Sequence, residues 1–284
     1  MPSSPTASIA IPTRRRPRYL DVTLTSVLPQ AEQCGAEVLV VSDGADPGTA
    51  EVAARHDVRL VSLPRPEGVN AARNAAVRSA ASDLIVFIDD DVEAPPGWLA
   101  ALLDGVRSAP GYDVFGGPIR ARLEGGGPRA CGREGAPITT LDLGPEDRDA
   151  PLVWSANMAV RRRAFERAGG FDETISGGRG DEEEWEHRFL AAGGRVRYVA
   201  AAGLDHRRTA SDATVRALTR AAYGQGRASR RNDARKQVAP PLRAELRTVA
   251  GCCWHIVRRR CAIGFVMLAE SSGRLREAVT ESRR

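Results

Sequence analysis

Short apolar runs, separated by polar turns and by stretches of helical spacing, set the pattern of the first hundred positions. Residues 8–12 (Ser-Ile-Ala-Ile-Pro), 37–41 (Glu-Val-Leu-Val-Val), 58–63 and 84–88 (Leu-Ile-Val-Phe-Ile) are too short for helices, and turn-forming residues bound them. Each is predicted to be a strand. Between them, Leu20, Leu24, Val27 and Leu28 fall at helical spacing, and Pro29 is predicted to end that helix. Residues 49–55 and the alanine-rich 70–80 predict two more helices. Strand and helix in alternation predict a parallel sheet with right-handed crossovers, so the first half reads as a nucleotide-binding α/β unit.

The fourth run ends in acid: Asp89, Asp90 and Asp91 arrive where the strand should stop. In open α/β sheets ligands sit beyond the carboxyl ends of the strands, so these acids are predicted to face a ligand. Three adjacent like charges need a counter-charge, which a divalent cation holding a diphosphate supplies. The basic loop 13–18 after the first strand offers arginines for the same phosphates. No Gly-x-Gly-x-x-Gly follows the first strand and no P-loop motif occurs, which removes both standard glycine-rich phosphate cradles.

Beyond residue 98 the pattern loosens. Residues 99–106 predict a helix and 113–117 a strand, while 119–149, rich in Gly, Pro and charge, predict a mobile loop over the site. Trp185, Phe189 and Ala192 share one helical face, which puts Asp181, Glu182, Glu183 and Glu184 in that helix's first turn. The helix dipole favours negative charge there, and a carboxylate so placed can also accept a proton. Residues 196–201 predict a strand before His206, and 214–231, 242–257 and 262–279 predict C-terminal helices. The nine-residue apolar run 261–269 is too short to cross a bilayer.

Composition narrows the class. Hydrophobic residues make up 42% and charged residues 27% of the 284, which describes an ordinary globular chain. The five cysteines show no Cys-x-x-Cys spacing, and residues 1–8 lack a basic segment followed by an apolar one, so reduced thiols and a cytoplasmic location are expected. Net charge is +5, but Lys236 is the single lysine among 41 basic residues, a bias toward arginine that scatters charge without a ligand. With 5% aromatics and no basic-aromatic interleaving, no nucleic-acid partner is expected.

Four motifs in order carry a resemblance: Ile-Pro-Thr, then Val-Val-Ser-Asp-Gly-Ala-Asp-Pro-Gly-Thr, then Ala-Arg-Asn-Ala-Ala, then Phe-Ile-Asp-Asp-Asp-Val-Glu-Ala-Pro-Pro-Gly-Trp-Leu. From about Ile9 to His206 the chain resembles the family 2 glycosyltransferases of GT-A fold. The resemblance implies an α/β fold with a mostly parallel central sheet flanked by helices. Residues 1–210 would form the catalytic domain, with a nucleotide-sugar half to about 110 and an acceptor half beyond it, and 211–284 a helical extension. It implies an inverting transfer from a nucleotide-sugar, UDP-sugar first, to an unknown acceptor hydroxyl with Mn2+ or Mg2+. The donor would meet Pro12, Thr13, Arg14, Asp43, Arg73, Asn74, Asp89, Asp90, Trp154 and Asn157, and Asp91 with His206 would bind the metal. The family places a Glu-Asp pair before Arg188; here Asp181 and Glu182 stand in its place, and Glu182, with Asp181 as the alternative, would be the catalytic base. A nucleotidyltransferase of related fold and a non-catalytic sugar-nucleotide-binding protein are the competing readings. The C-terminal helices offer packing on the catalytic domain, a peripheral membrane contact or a homodimer face.

Overall fold

The structure, a computed structural model, describes residues 5–128, 138–175 and 182–282. The first half runs β1 (Ser8–Thr13), α1 (Pro17–Cys34), β2 (Glu37–Ser42), α2 (Pro47–Arg55), β3 (Arg59–Ser62), α3 (Val69–Ser79), β4 (Leu84–Ile88), β5 (Val92–Glu93) and α4 (Trp98–Ser108). There follow β6 (Val114–Gly116), β7 (Ile119–Leu123), β8 (Arg148–Asp149), β9 (Asn157–Arg161), α5 (Arg162–Ala168), α6 (Glu183–Ala191), β10 (Val196–Tyr198) and β11 (Leu204–Arg208). The helices α7 (Val215–Arg235), α8 (Leu242–Arg259) and α9 (Ile263–Glu281) come last.

The main sheet has the order β3-β2-β1-β4-β9-β6-β10-β8, and a small sheet has the order β5-β11-β7. β3, β2, β1 and β4 are parallel, whereas β9 runs antiparallel to both β4 and β6. Alternation along the inner strands explains why they read as unbroken apolar runs. Ile9, Ile11, Val38, Val40, Val86 and Ile88 pack on one face with Leu20, Leu24, Val27 and Trp98. Ala10, Leu39, Val41, Ile85 and Phe87 pack on the other with Ala72, Ala76, Phe165 and Trp185. A sheet covered on both faces buries both faces of its inner strands, while the edge strands β3 and β8 stay partly or wholly exposed.

Helix α1 does not end at Pro29; it continues to Cys34 with the proline inside it. Proline in a helix interior costs about 3 kcal/mol. The buried face of Leu20, Leu24, Val27 and Ala31 continues across that position, and burying several such side chains at about 1.5–3 kcal/mol each outweighs the cost. The stretch read as a loop from residue 119 begins with strand β7. Ile119, Ala121 and Leu123 alternate there with Arg120 and Arg122, a period of two that the following glycines obscured.

Two compact units are present. The first comprises Met1–Ala121, Thr140–Thr174 and Asp181–His206, and the second Arg122–Thr139, Ile175–Gly180 and Arg207–Arg284. Within the second, α7 and α9 approach closely because both carry glycine at the crossing. A Cβ on Gly226 would lie 2.0 Å from the Glu270 carbonyl oxygen, and one on Gly273 would lie 2.2 Å from that of Tyr223. Among the described residues no helix is long and apolar enough to cross a membrane.

Candidate active site

The loop after β1 holds the acids after β4, because these strands are parallel neighbours and both loops leave the same edge of the sheet. Thr13 Oγ1 donates to Asp90 Oδ2 at 2.6 Å, and Arg16 reaches Asp90 Oδ1 at 2.7 Å and Asp91 Oδ2 at 2.6 Å. Arg16 thus supplies part of the counter-charge that three carboxylates require. Burial opposes its charge, but Asp91 and Asp90 prevail and raise its pKa. Burial pushes Asp90 up to about 7, with Arg16 pulling it down and Asp91 adding to the rise. Asp89 is raised by burial first and by Asp91 second.

β11 delivers the histidine. It pairs antiparallel with β5, setting His206 opposite Val92, and His206 Nε2 lies 3.1 Å from Asp91 Oδ1. One ligand atom from each of Asp89, Asp91 and His206 falls within 4.8 Å of the others. Two carboxylates and an imidazole suit a small divalent cation, and the imidazole favours manganese, so the residues present fit Mn2+ or Mg2+. Asp205 instead pairs with Arg120 at 2.9 Å.

Glu182 stands at the N-cap of α6, yet its side chain does not cap the helix. It turns toward the segment before β9, where its Oε1 accepts the Ser155 backbone N–H and hydroxyl, each at 3.2 Å. Arg73 donates to Ser155 Oγ at 2.5 Å and to Asn70 Oδ1 at 2.8 Å, and its guanidinium lies 3.9 Å from Glu182 Oε2. Packing fixes α6: Trp185 and Phe189 are fully buried and stack at 5.6 Å, and Phe165 and Phe171 lie against Trp185 at 4.9 and 5.2 Å. Asp89 feels the charges of His206, Arg73 and Glu182 as well as that of Asp91, so the acidic turn and Glu182 share one electrostatic neighbourhood. Asp181, the alternative base, lies outside the described residues.

The remaining donor candidates divide. Asp43 Oδ1 accepts the Glu67 and Gly68 N–H groups at 2.6 and 3.1 Å, holding the turn into α3, while its Oδ2 lies 3.7 Å from the half-exposed Arg14. Pro12 is paired with Val41 in the sheet, and Trp154, half-buried, donates to the Thr140 carbonyl at 3.3 Å. Asn74 and Asn157 spend their amides on the protein. Asn74 donates to the Phe171 carbonyl and to Glu173 and accepts the Phe171 N–H, at 2.8–2.9 Å. Asn157, fully buried, accepts the Trp98 indole N–H at 3.0 Å and donates to the Ala202 and Pro118 carbonyls at 2.7 and 3.2 Å. Both Asp90 carboxylate oxygens are likewise taken, by Thr13 and Arg16.

Sequence reasoning passed over Ser155, Asn70 and the particular part played by Arg16. Ser155 sits between two candidates, Trp154 and Asn157, but its partner Arg73 is 82 residues away, a pairing that no local pattern shows.

Residues 8–169 match the model of glycosyl transferase family 2, and the chain belongs to that family. It is 34% identical over 236 residues to a pre-mycofactocin glycosyltransferase of Mycobacterium tuberculosis, covering 78% of this chain and 47% of that protein. It is 31% identical over 226 residues to the O-antigen biosynthesis protein RfbC of Myxococcus xanthus, covering 73% of this chain and 18% of that one. The chain therefore spans less than half the length of these curated relatives. A crystal structure of GalNAc-T7 with UDP, GalNAc and Mn2+ shares the fold, with a TM-score of 0.58 at 16% identity over 79% of this chain and 48% of that one. The expected GT-A fold, with its central sheet flanked by helices and its C-terminal helical region, is present.

Proposed function

We propose that this protein transfers a sugar, with inversion, from a nucleotide-diphospho-sugar to an acceptor hydroxyl, in a reaction that depends on a divalent cation. The observation that carries the reading is the cluster of Asp89, Asp91 and His206 at the carboxyl end of β4, with Glu182 in the same electrostatic neighbourhood. Asp91 and His206, with Asp89, would hold Mn2+ or Mg2+. Such a cation, when bound, neutralises the developing charge of the departing diphosphate. In this reading Asp43, after β2, would meet the base and Arg14, after β1, the phosphates, and Arg73 would line the nucleotide; the 3.7 Å approach of Arg14 to Asp43 supports taking these two together.

Glu182 takes the proton of the acceptor hydroxyl as that oxygen attacks the anomeric carbon from the face opposite the leaving group. Ser155 and Arg73 orient its carboxylate: Oε1 is held by Ser155, and Oε2, 3.9 Å from the Arg73 guanidinium, would receive the proton. General-base catalysis of this kind contributes about a hundred- to ten-thousandfold in rate. The donor is a UDP-sugar in this reading, in keeping with the UDP and Mn2+ bound by the GalNAc-T7 fold neighbour. The acceptor belongs to a cell-envelope glycan, a lipid carrier or a natural product.

The test is thermal stabilisation by UDP-, GDP- and dTDP-sugars with and without Mn2+, since a ligand that binds the folded state raises the melting temperature. The reading expects one donor to stabilise the protein only with metal, and an anomerically inverted product by NMR. A protein that no donor stabilises in the presence of metal, or a product of retained configuration, would overturn it.

A further inference from the structure

The second compact unit carries a surface none of whose residues belongs to the candidate active site. α8 turns Glu245 and Cys252 inward, where Glu245 meets Arg274 at 3.0 Å and Arg230 at 3.4 Å. Its opposite side is apolar and open. Leu242, Leu246, Ala250, Cys253, Trp254 and Val257 are all exposed. At 3.6 residues per turn they fall within an arc of about 120°. Trp254 is 68% and Val257 74% exposed, among the most exposed large apolar side chains of the chain.

Charge identifies what covers this stripe. Arg247 and Arg258 are exposed and border the stripe beyond Trp254, exposed Arg243 lies just inside that edge, and exposed Arg259 and Arg260 follow at the helix end. The helix's single acid, Glu245, is buried, so α8 shows no negative charge beside its apolar face. Two copies of α8 meeting through this face would enclose Arg243 with no acid of α8 to meet it, and an antiparallel pair would also bring the arginine rows together, arrangements that disfavour self-pairing. An apolar stripe bearing a tryptophan and bordered by cations is instead the pattern of a helix lying in a bilayer interface, with guanidinium groups against lipid phosphates. We propose that α8 docks the protein, parallel to the surface, on a membrane of anionic phospholipid, through its apolar stripe and the arginines beside it.

Co-sedimentation of the full chain with vesicles of phosphatidylcholine alone, or mixed with phosphatidylglycerol, tests this. Wild type should bind the anionic vesicles and not the neutral ones. Each surface cation near such a membrane is worth about 1 kcal/mol, so the triple variant R243Q/R247Q/R258Q should lose about a hundredfold in partition coefficient. Trp254→Ser, which removes a large interfacial side chain, should lose about tenfold or more. Both should keep the wild-type melting curve, because the altered side chains are exposed. If Trp254→Ser melts early, Val257→Ser takes its place. Equal binding to both kinds of vesicle, or to neither, would overturn the proposal. So would a dimer in sedimentation equilibrium that Trp254→Ser dissociates, which would make a second copy the occupant of the face.

Discussion

Ser155 gives both its backbone N–H and its hydroxyl to one carboxylate oxygen of Glu182, each at 3.2 Å, and takes a hydrogen bond from Arg73 at 2.5 Å. The carboxylate is thereby gripped by one oxygen. Ser155→Ala keeps the backbone bond and loses the hydroxyl. Loosening a reacting group by a fraction of an ångström costs about ten- to a hundredfold in rate. The expected outcome is a fall in kcat of that size, with donor KM and melting temperature close to wild type. A variant whose kcat is unchanged would reduce Ser155 to packing.

Glu182→Gln preserves shape and removes basicity. Turnover should fall about a hundred- to ten-thousandfold while donor affinity holds, because the loss lies in the transition state alone. Asp181→Asn is the comparison. Steady-state kinetics in which Asp181→Asn takes the large loss and Glu182→Gln stays near wild type would assign the base to Asp181.

Asp91→Ala should abolish metal-dependent stabilisation by the donor. Asp91 is shared between Arg16 and His206 and sits in the candidate cation cluster, so its removal strips the cluster of one of two carboxylates. Titration calorimetry of a UDP-sugar with and without Mn2+ gives the readout. Affinity that matches wild type under both conditions would remove Asp91 from the donor site.

Asn157→Ala should act on stability and not on the donor. The substitution leaves the Trp98 indole N–H and the buried Ala202 carbonyl without this partner, while the Pro118 carbonyl keeps the Leu204 N–H at 3.0 Å, and each unsatisfied buried group costs about 1–3 kcal/mol. A loss of about 2–4 kcal/mol in denaturant unfolding is expected, with donor affinity of the folded protein changed less than about threefold. A large loss of affinity at unchanged stability would return Asn157 to the donor site.

Glu186 provides a pH prediction. It is fully buried, accepts the Val153 N–H at 3.0 Å, and its Oε2 meets no hydrogen-bond partner among the described residues. Burial raises its pKa well above the ordinary carboxyl value, opposed by the Val153 bond and aided by the charge of Glu182. A group with a higher pKa folded than unfolded gives its full stability below the unfolded value, about 4.3, and loses it as pH rises through the folded value. Wild type should therefore lose stability with rising pH above the ordinary carboxyl range, and Glu186→Gln should lose less. Equal slopes of denaturation midpoint against pH in the two proteins would sink this.

The parallel half of the fold was legible because strands buried on both faces are written as unbroken apolar runs, and because the acids after residue 88 stand outside that pattern. Helix α1 was read too short at Pro29, since local propensity carries no record of the core that Leu24, Val27 and Ala31 share. The acidic turn, His206 and Glu182 were visible as residue types in a known order. What was invisible was division of labour. Nothing local marks Asn157 as a link among Trp98, Ala202 and Pro118, or Asp90 as the anchor of Thr13 and Arg16, because these partners lie 39 to 77 residues apart.

Helix α3 has a consequence for the order in which the chain matures. Asn74 bonds to Phe171 across 97 positions, and the neighbouring Arg73 bonds to Ser155 across 82. A nascent chain can pair β1, β2, β3 and β4 as soon as residue 88 has left the ribosome, but the amide of Asn74 must wait in water until Phe171 emerges. Contacts this far apart raise contact order and slow folding, since loop closure precedes any reward. The donor half of the sheet can form early, while Glu182 cannot meet Ser155 until a further 94 residues beyond residue 88 have emerged.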